Sequence, residues 1–112
     1  MLGLTYKAGT DSTKNSPSIM IINKLKEKYK IKAYDPIVKK LNYKNVNFVR
    51  SIFEALKESE ILFIMTPWKE FKNLSANKIK KFMNGNIIFD PYGILNKKKF
   101  LKFKFNYYSI SN

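Results

Sequence analysis

Apolar residues recur along this chain in short runs divided by lysine-rich polar stretches, and their spacing changes from run to run. Residues 2–7 read as a short apolar strand. Over 17–29, Ile21, Ile22, Leu25 and Tyr29 fall at helical spacing, with lysines on the other face. Ser16 and Pro17 supply the start signals of that helix, an N-cap and a first-turn proline. Residues 31–34 form a second strand, closed by Asp35-Pro36 because the residue before a proline resists continuation. Residues 37–47 read as irregular, with a short strand over 46–49.

The second half is more regular. Ser51-Ile52-Phe53-Glu54 is a capping box, which opens a helix to about Glu58. Residues 60–65 are almost continuously apolar, as expected of a strand covered on both faces. Thr66-Pro67-Trp68 follows, then a helical segment near 69–71 and a helix over 76–83, started by Ser75 and ended by Gly85. Residues 86–89 form a strand, 90–93 a turn and 105–110 a final strand. Trp68 and Phe71 read as packing anchors. The alternation β-α-β-(β)-α-β-α-β-β predicts an α/β fold. The expected architecture is a single Rossmann-like three-layer sandwich around a mainly parallel sheet, spanning 1–112.

Composition narrows the chemistry. The chain has 112 residues, 45% hydrophobic and 15% aromatic, enough for a core. It holds no cysteine and no histidine. Disulfides, thiolate metal sites and a cysteine nucleophile are therefore excluded, and the commonest general base is missing. No catalytic residue and no metal ligand set is assigned. No leader-like segment and no run of membrane-spanning length stands out, so the expected location is cytoplasmic.

The formal charge is +14, which suits phosphate binding by counterion release. Of the basic residues, however, only Arg50 is arginine, the side chain best fitted to bidentate contacts. The lysines are also spread out, with one local cluster at Lys97-Lys98-Lys99, Lys102 and Lys104. Nucleic acid is not read as the main partner.

The opening segment, from Gly3 to Pro17, carries the functional signal. A strand, a glycine-bearing polar loop and a helix start place Lys7 and a row of backbone N–H groups at the carboxyl end of a strand. In open α/β sheets, ligands bind there. The segment Gly3-Leu4-Thr5-Tyr6-Lys7-Ala8-Gly9-Thr10-Asp11-Ser12-Thr13-Lys14-Asn15-Ser16-Pro17 also resembles the start of the C-terminal domain of UDP-glucose and GDP-mannose dehydrogenases, G-hydrophobic-x-F-K-x-x-T-D-D-x-R-x-S-P. Tyr6 stands for the phenylalanine, Ser12 for the second aspartate and Lys14 for the arginine.

Further matches follow in order. Tyr34-Asp35-Pro36 is similar to the family's Y-D-P, and Ser51 to Leu56 to its short helix. The segment from Ile64 to Phe71 resembles L-T-E-W-x-E-F, with Pro67 for the glutamate. The segment from Ile88 to Leu95 resembles D-x-R-N followed by two apolar residues, and Tyr107-Tyr108-Ser109-Ile110 the closing strand.

The resemblance implies the following. Family enzymes join two Rossmann-like domains by a long central helix. The N-terminal domain binds NAD and supplies a catalytic cysteine, and the C-terminal domain holds the nucleotide of a UDP-sugar. Two hydride transfers then oxidise the sugar C6 alcohol to a carboxylate. This chain corresponds to the C-terminal domain and would need an N-terminal dehydrogenase domain, in cis or in trans. The family's homodimer relies on the central helix, so a monomer is expected here.

By the same resemblance Tyr6, Lys7 and Tyr92 are the substrate-binding positions and Lys14 the one that reaches NAD. A lysine beside backbone donors suits a diphosphate. Lys14 keeps the charge of the arginine it replaces and loses the planar fork. Tyr92 replaces an arginine and can donate one hydrogen bond or stack on uracil without neutralising phosphate. Thr10 and Asp11 are expected to cap the loop or the next helix, and Asp90 to support the turn that aims position 92. Asp35 lacks the preceding Gly-x-Gly-x-x-Gly of a dinucleotide site. Two alternatives stand beside this reading: a non-catalytic remnant or interaction module with the same fold, and a basic nucleic-acid-binding domain.

Overall fold

A computed structural model describes residues 1–14 and 16–110. Asn15, inside the opening motif, and Ser111 and Asn112, the end of the expected 1–112 domain, lie outside the described residues. In chain order the elements are α1 (Pro17–Leu25), β1 (Ile31–Ala33), β2 (Val46–Phe48), α2 (Ile52–Leu56), β3 (Ile61–Phe63), α3 (Lys69–Lys72), α4 (Ala76–Phe82), β4 (Ile87–Phe89), α5 (Lys97–Lys102) and β5 (Asn106–Tyr108).

Two parallel ladders form, β1-β2 and β3-β4-β5. Leu2 joins them through parallel bridges to Tyr34 on one side and Ile64 on the other. The Leu2 N–H donates to the Phe63 carbonyl at 2.7 Å, and the Met65 N–H to the Leu2 carbonyl at 2.8 Å. Opposite, the Gly3 N–H donates to the Tyr34 carbonyl at 2.8 Å and the Tyr34 N–H to the Met1 carbonyl at 3.0 Å. The spatial order is β2-β1-Leu2-β3-β4-β5. If the Leu2 segment is counted first, this is the doubly wound order 3-2-1-4-5-6, whose switch point lies between the Leu2 segment and β3.

Side chains alternate between the two faces, as strands require. Leu2, Leu62, Ile64 and Ile88 pack with Ala55, Leu56, Ile79 and Phe100 from α2, α4 and α5. Met1, Leu4, Ala33 and Met65 pack on the other face with Ile22 of α1. Val38, Leu41 and Tyr43 of the β1–β2 connection complete that second layer. The three-layer α/β architecture expected from the sequence is present, with a parallel sheet.

Several boundaries differ from the expectation. The strand expected over 2–7 pairs only around Leu2, because Leu4 N–H is taken by the Asp35 side chain instead of a neighbouring strand. The helix expected over 17–29 ends at Leu25, and Tyr29, placed on its apolar face, is exposed. The second helix stops at Leu56 as the chain passes into the left-handed region at Glu58, φ 60°. Gly85 does not end α4; a Cβ there would lie 2.0 Å from the Glu60 carbonyl oxygen, so its role is close backbone approach. The final strand covers Asn106–Tyr108 alone.

One element was read only as charge. Residues of the lysine cluster form α5, capped by the Asn96 side chain on Lys99 N–H and anchored by buried Phe100. This helix supplies the crossover that makes β4 and β5 parallel, where the alternation had placed two strands in succession.

Candidate functional site

The carboxyl edge of the sheet at the switch point is built by three chain segments. The first is the loop after Leu2. Gly3 sits at φ +95°, and a Cβ there would lie 2.5 Å from Thr66 Oγ1, so only glycine lets the chain turn away beside β3. The Thr66 hydroxyl donates to the Thr5 carbonyl at 2.9 Å, and the Thr5 hydroxyl to the Lys7 carbonyl at 3.0 Å. Both threonines are fully buried. Farther out, Tyr6 N–H donates to the Ser12 carbonyl at 2.8 Å and Ser12 N–H to Thr10 Oγ1 at 3.2 Å. The loop is thereby closed on itself. Among the hydrogen bonds of the described residues, the N–H groups of Lys7, Ala8, Gly9 and Thr10 donate to nothing.

Asp35, at the end of β1, ties this loop to its surroundings. Its carboxylate is 1% exposed and accepts four hydrogen bonds. Oδ1 takes Leu4 N–H at 2.8 Å and the Trp68 indole N–H at 3.3 Å. Oδ2 takes the N–H groups of Ile37 at 3.0 Å and Val38 at 2.9 Å. Next to it, the Tyr34 hydroxyl donates to Glu70 Oε1 at 3.2 Å. Burial, then the Glu70 carboxylate, raises the Tyr34 phenol above its ordinary pKa.

The third segment follows β4. Asp90 is fully buried and accepts from Ile94 N–H at 3.2 Å, Leu95 N–H at 2.9 Å and the Tyr107 hydroxyl at 2.5 Å. Gly93 N–H closes the turn onto the Asp90 carbonyl at 3.0 Å. Burial, and secondarily the bond to Asp90, pushes the Tyr107 phenol up. Position 92 is thereby fixed at the tip of a rigid turn.

Tyr6 and Lys7 lie exposed on the first segment and Tyr92, 42% exposed, on the third. They share the carboxyl edge with β3 between them, so their strands are separated by about 10 Å of sheet. Lys14 is exposed near the start of α1. The α1 cap is Ser16, whose Oγ accepts Ser18 N–H at 3.2 Å; Thr10 works within the loop and Asp11 is exposed. Trp68 and Phe71 are anchors as expected, and Trp68 also reaches Asp35. The fixing roles of Thr5, Thr66 and Asp35 were not read from the sequence. The signal available was an aspartate between a strand end and a proline, a common place for a side chain to collect backbone N–H groups.

Chemically, this edge offers a cationic side chain, free backbone donors and two exposed aromatic rings, a set suited to a nucleoside diphosphate. The edge is open. Two concavities of about 930 and 1220 Å³ lie elsewhere, along residues 39–50 and below the amino ends of β1 and β3, and neither includes Lys7, Lys14 or Tyr92. The Asp35 carboxylate is not available to a ribose hydroxyl, because its accepting positions are taken by four protein N–H groups. Among the described residues, no group of three or more Asp, Glu, His or Cys could hold a metal ion. Among the described residues, no helix is long and apolar enough to cross a membrane.

Comparison with known proteins gives a family and a fold. Residues 1–97 match the UDP binding domain of the UDP-glucose/GDP-mannose dehydrogenase family. A UDP-glucose 6-dehydrogenase of Rickettsia conorii is 40% identical over the whole of this chain, which spans 27% of that relative's length. The solved UDP-D-ManNAc dehydrogenase of Pyrococcus horikoshii superposes with a TM-score of 0.78 at 29% identity, covering 97% of this chain and 24% of that one. An NDP-N-acetyl-D-galactosaminuronic acid dehydrogenase from Methanosarcina mazei gives a TM-score of 0.85 at 23% identity, over 98% of this chain and 23% of that one, and so shares the fold.

Proposed function

Since the chain belongs to the UDP-glucose/GDP-mannose dehydrogenase family, as its UDP-binding domain, we propose that it holds the nucleotide of a UDP-sugar at the carboxyl edge of its sheet. Tyr6, Lys7 and Tyr92 form the contact set. Lys7 supplies the charge for the diphosphate, and the N–H groups of the same loop supply directed donors. Tyr6 and Tyr92 present apolar faces to the base or sugar and hydroxyls to its polar rim. Catalysis is the oxidation of a nucleotide-sugar C6 alcohol, of the UDP-glucose to UDP-glucuronate type. It requires a partner domain that binds NAD and carries the nucleophilic cysteine this chain lacks. The role of the present chain is to bind and orient the substrate and to wall the site from water. Lys14, exposed near the start of α1, is the position that reaches toward NAD held by that partner.

The observation that supports this reading most is the convergence of the closed, donor-bearing Lys7 loop and the Tyr92 turn on one edge at the switch point. The edge is a shelf and not a pocket, which suits half of a site shared between domains. The test is an NMR titration of the purified chain with UDP-glucose at moderate salt, with Lys7→Ala alongside. Saturable shifts at Lys7, Tyr6 and Tyr92, lost in the variant, are expected. No shifts at millimolar ligand would leave a fold without its site, the remnant reading. The isolated chain is expected to form no NADH from UDP-glucose and NAD.

A further inference from the structure

The loop after Leu2 is held through its peptide planes. A trans peptide is flat, and its C=O and N–H point in opposite directions, so a partner that fixes one end aims the other. The Thr66 hydroxyl donates to the Thr5 carbonyl at 2.9 Å, and the other end of that plane, Tyr6 N–H, donates to the Ser12 carbonyl at 2.8 Å. Two residues on, the Thr5 hydroxyl donates to the Lys7 carbonyl at 3.0 Å. The far end of this second plane is Ala8 N–H, which donates to nothing among the described residues. The first plane closes the loop. The second is fixed in the same way, with its donor left over.

Both hydroxyls belong to buried threonines, whereas Lys7 is exposed. The Lys7 carbonyl therefore turns inward and Ala8 N–H away from the buried hydroxyl. Packing alone asks for no hydroxyl at either position. Valine has nearly the shape of threonine, and a buried hydroxyl is tolerated only where it finds a partner. At Thr66 that partner is Thr5, and at Thr5 it is Lys7, so the two side chains form a relay from the end of β3 to the peptide beside the Lys7 side chain. Gly3 leaves room for the start of this relay, since a Cβ there would lie 2.5 Å from Thr66 Oγ1.

We propose that Thr66 and Thr5 are positioning residues for nucleotide binding, and that what they position is Ala8 N–H, aimed as a directed donor at a diphosphate oxygen beside the Lys7 ammonium. A lysine on a flexible stem supplies charge with little direction. A backbone N–H held through its own peptide plane supplies the direction. The inference rests on the reading of this loop as the one that holds the nucleotide, and adds the device that sets its geometry.

The test is an NMR titration of the whole chain with UDP-glucose, run on the unaltered protein and on Thr5→Val, Thr5→Ser and Thr66→Val, each checked for folding by circular dichroism. The amide proton of Ala8 is the reporter. In the unaltered protein it is expected to move downfield as the ligand saturates. Thr5→Val should abolish that movement and weaken binding about tenfold. Thr5→Ser keeps the hydroxyl and should restore both. Thr66→Val should release Tyr6 N–H from Ser12, read as faster exchange of that amide, and weaken binding to a similar degree. A packing role alone would lower the melting temperature of the valine variants and leave affinity and the Ala8 movement unchanged in the folded protein, which overturns the proposal. So does an Ala8 amide that stays still while the unaltered protein binds, a result that needs no variant to fold. An unaltered protein silent to millimolar UDP-glucose overturns the nucleotide reading itself, and the proposal with it.

Discussion

The indole N–H of Trp68 donates to Oδ1 of Asp35 at 3.3 Å, and the same oxygen accepts Leu4 N–H at 2.8 Å. One buried carboxylate therefore sets the relative positions of the loop after the first segment and the loop after β3, the two walls of the switch point. Replacing Asp35 by Asn puts an NH₂ group against backbone donors, and a loss of about 3 kcal/mol of stability is expected. Trp68→Phe removes only the longer bond and should cost about 1 kcal/mol from that bond. Urea unfolding of both variants measures the difference, and similar losses would show that Asp35 does not hold the junction.

Two glycines with positive φ should respond differently to alanine. Gly3 combines φ +95° with a Cβ position 2.5 Å from Thr66 Oγ1, so Gly3→Ala is expected to cost roughly 3 kcal/mol or more. Gly9 has φ +84° and nothing within 4 Å, so Gly9→Ala should cost only about 1 kcal/mol of backbone strain. Thermal melts compare the two directly. An equal loss would mean that crowding against Thr66 is relieved by a shift of the loop.

Tyr107→Phe takes away the hydroxyl that donates to Asp90 at 2.5 Å and leaves the two backbone donors in place. A loss of about 1–3 kcal/mol is expected, with amide shifts extending to the turn at Tyr92. Because burial and Asp90 hold the Tyr107 proton, the variant should also lose the latest-titrating phenol in an alkaline absorbance titration. Unchanged late titration would place that phenol elsewhere.

Much of this organisation was legible in the sequence because it rests on local chemistry. Ser16, Ser51 and Ser75 each accept the N–H that an N-cap should accept, two residues on for Ser16 and three residues on for the others. The apolar run at 60–65 contains β3, and its alternate residues serve both cores. Tyr6, Lys7, Lys14 and Tyr92 came from the family resemblance, and the loop and the turn that carry them leave all four exposed. What was hidden depends on partners far along the chain. Leu4 leaves the sheet because of Asp35, Gly85 exists for Glu60, and α5 was masked by lysines whose periodicity is set by Phe100 alone. The bonds at Thr5 and Thr66 join residues that no local pattern brings together.

The central place of Leu2 also constrains how the fold can be assembled. Its two bridges reach Tyr34 on one side and Ile64 on the other, so each closes a long loop of chain and neither ladder can join the other until both partners are in place. The sheet therefore closes from its middle and late. While β3 is unformed, the Leu2 segment holds an unfinished parallel edge, the form in which this domain is most exposed to mispairing.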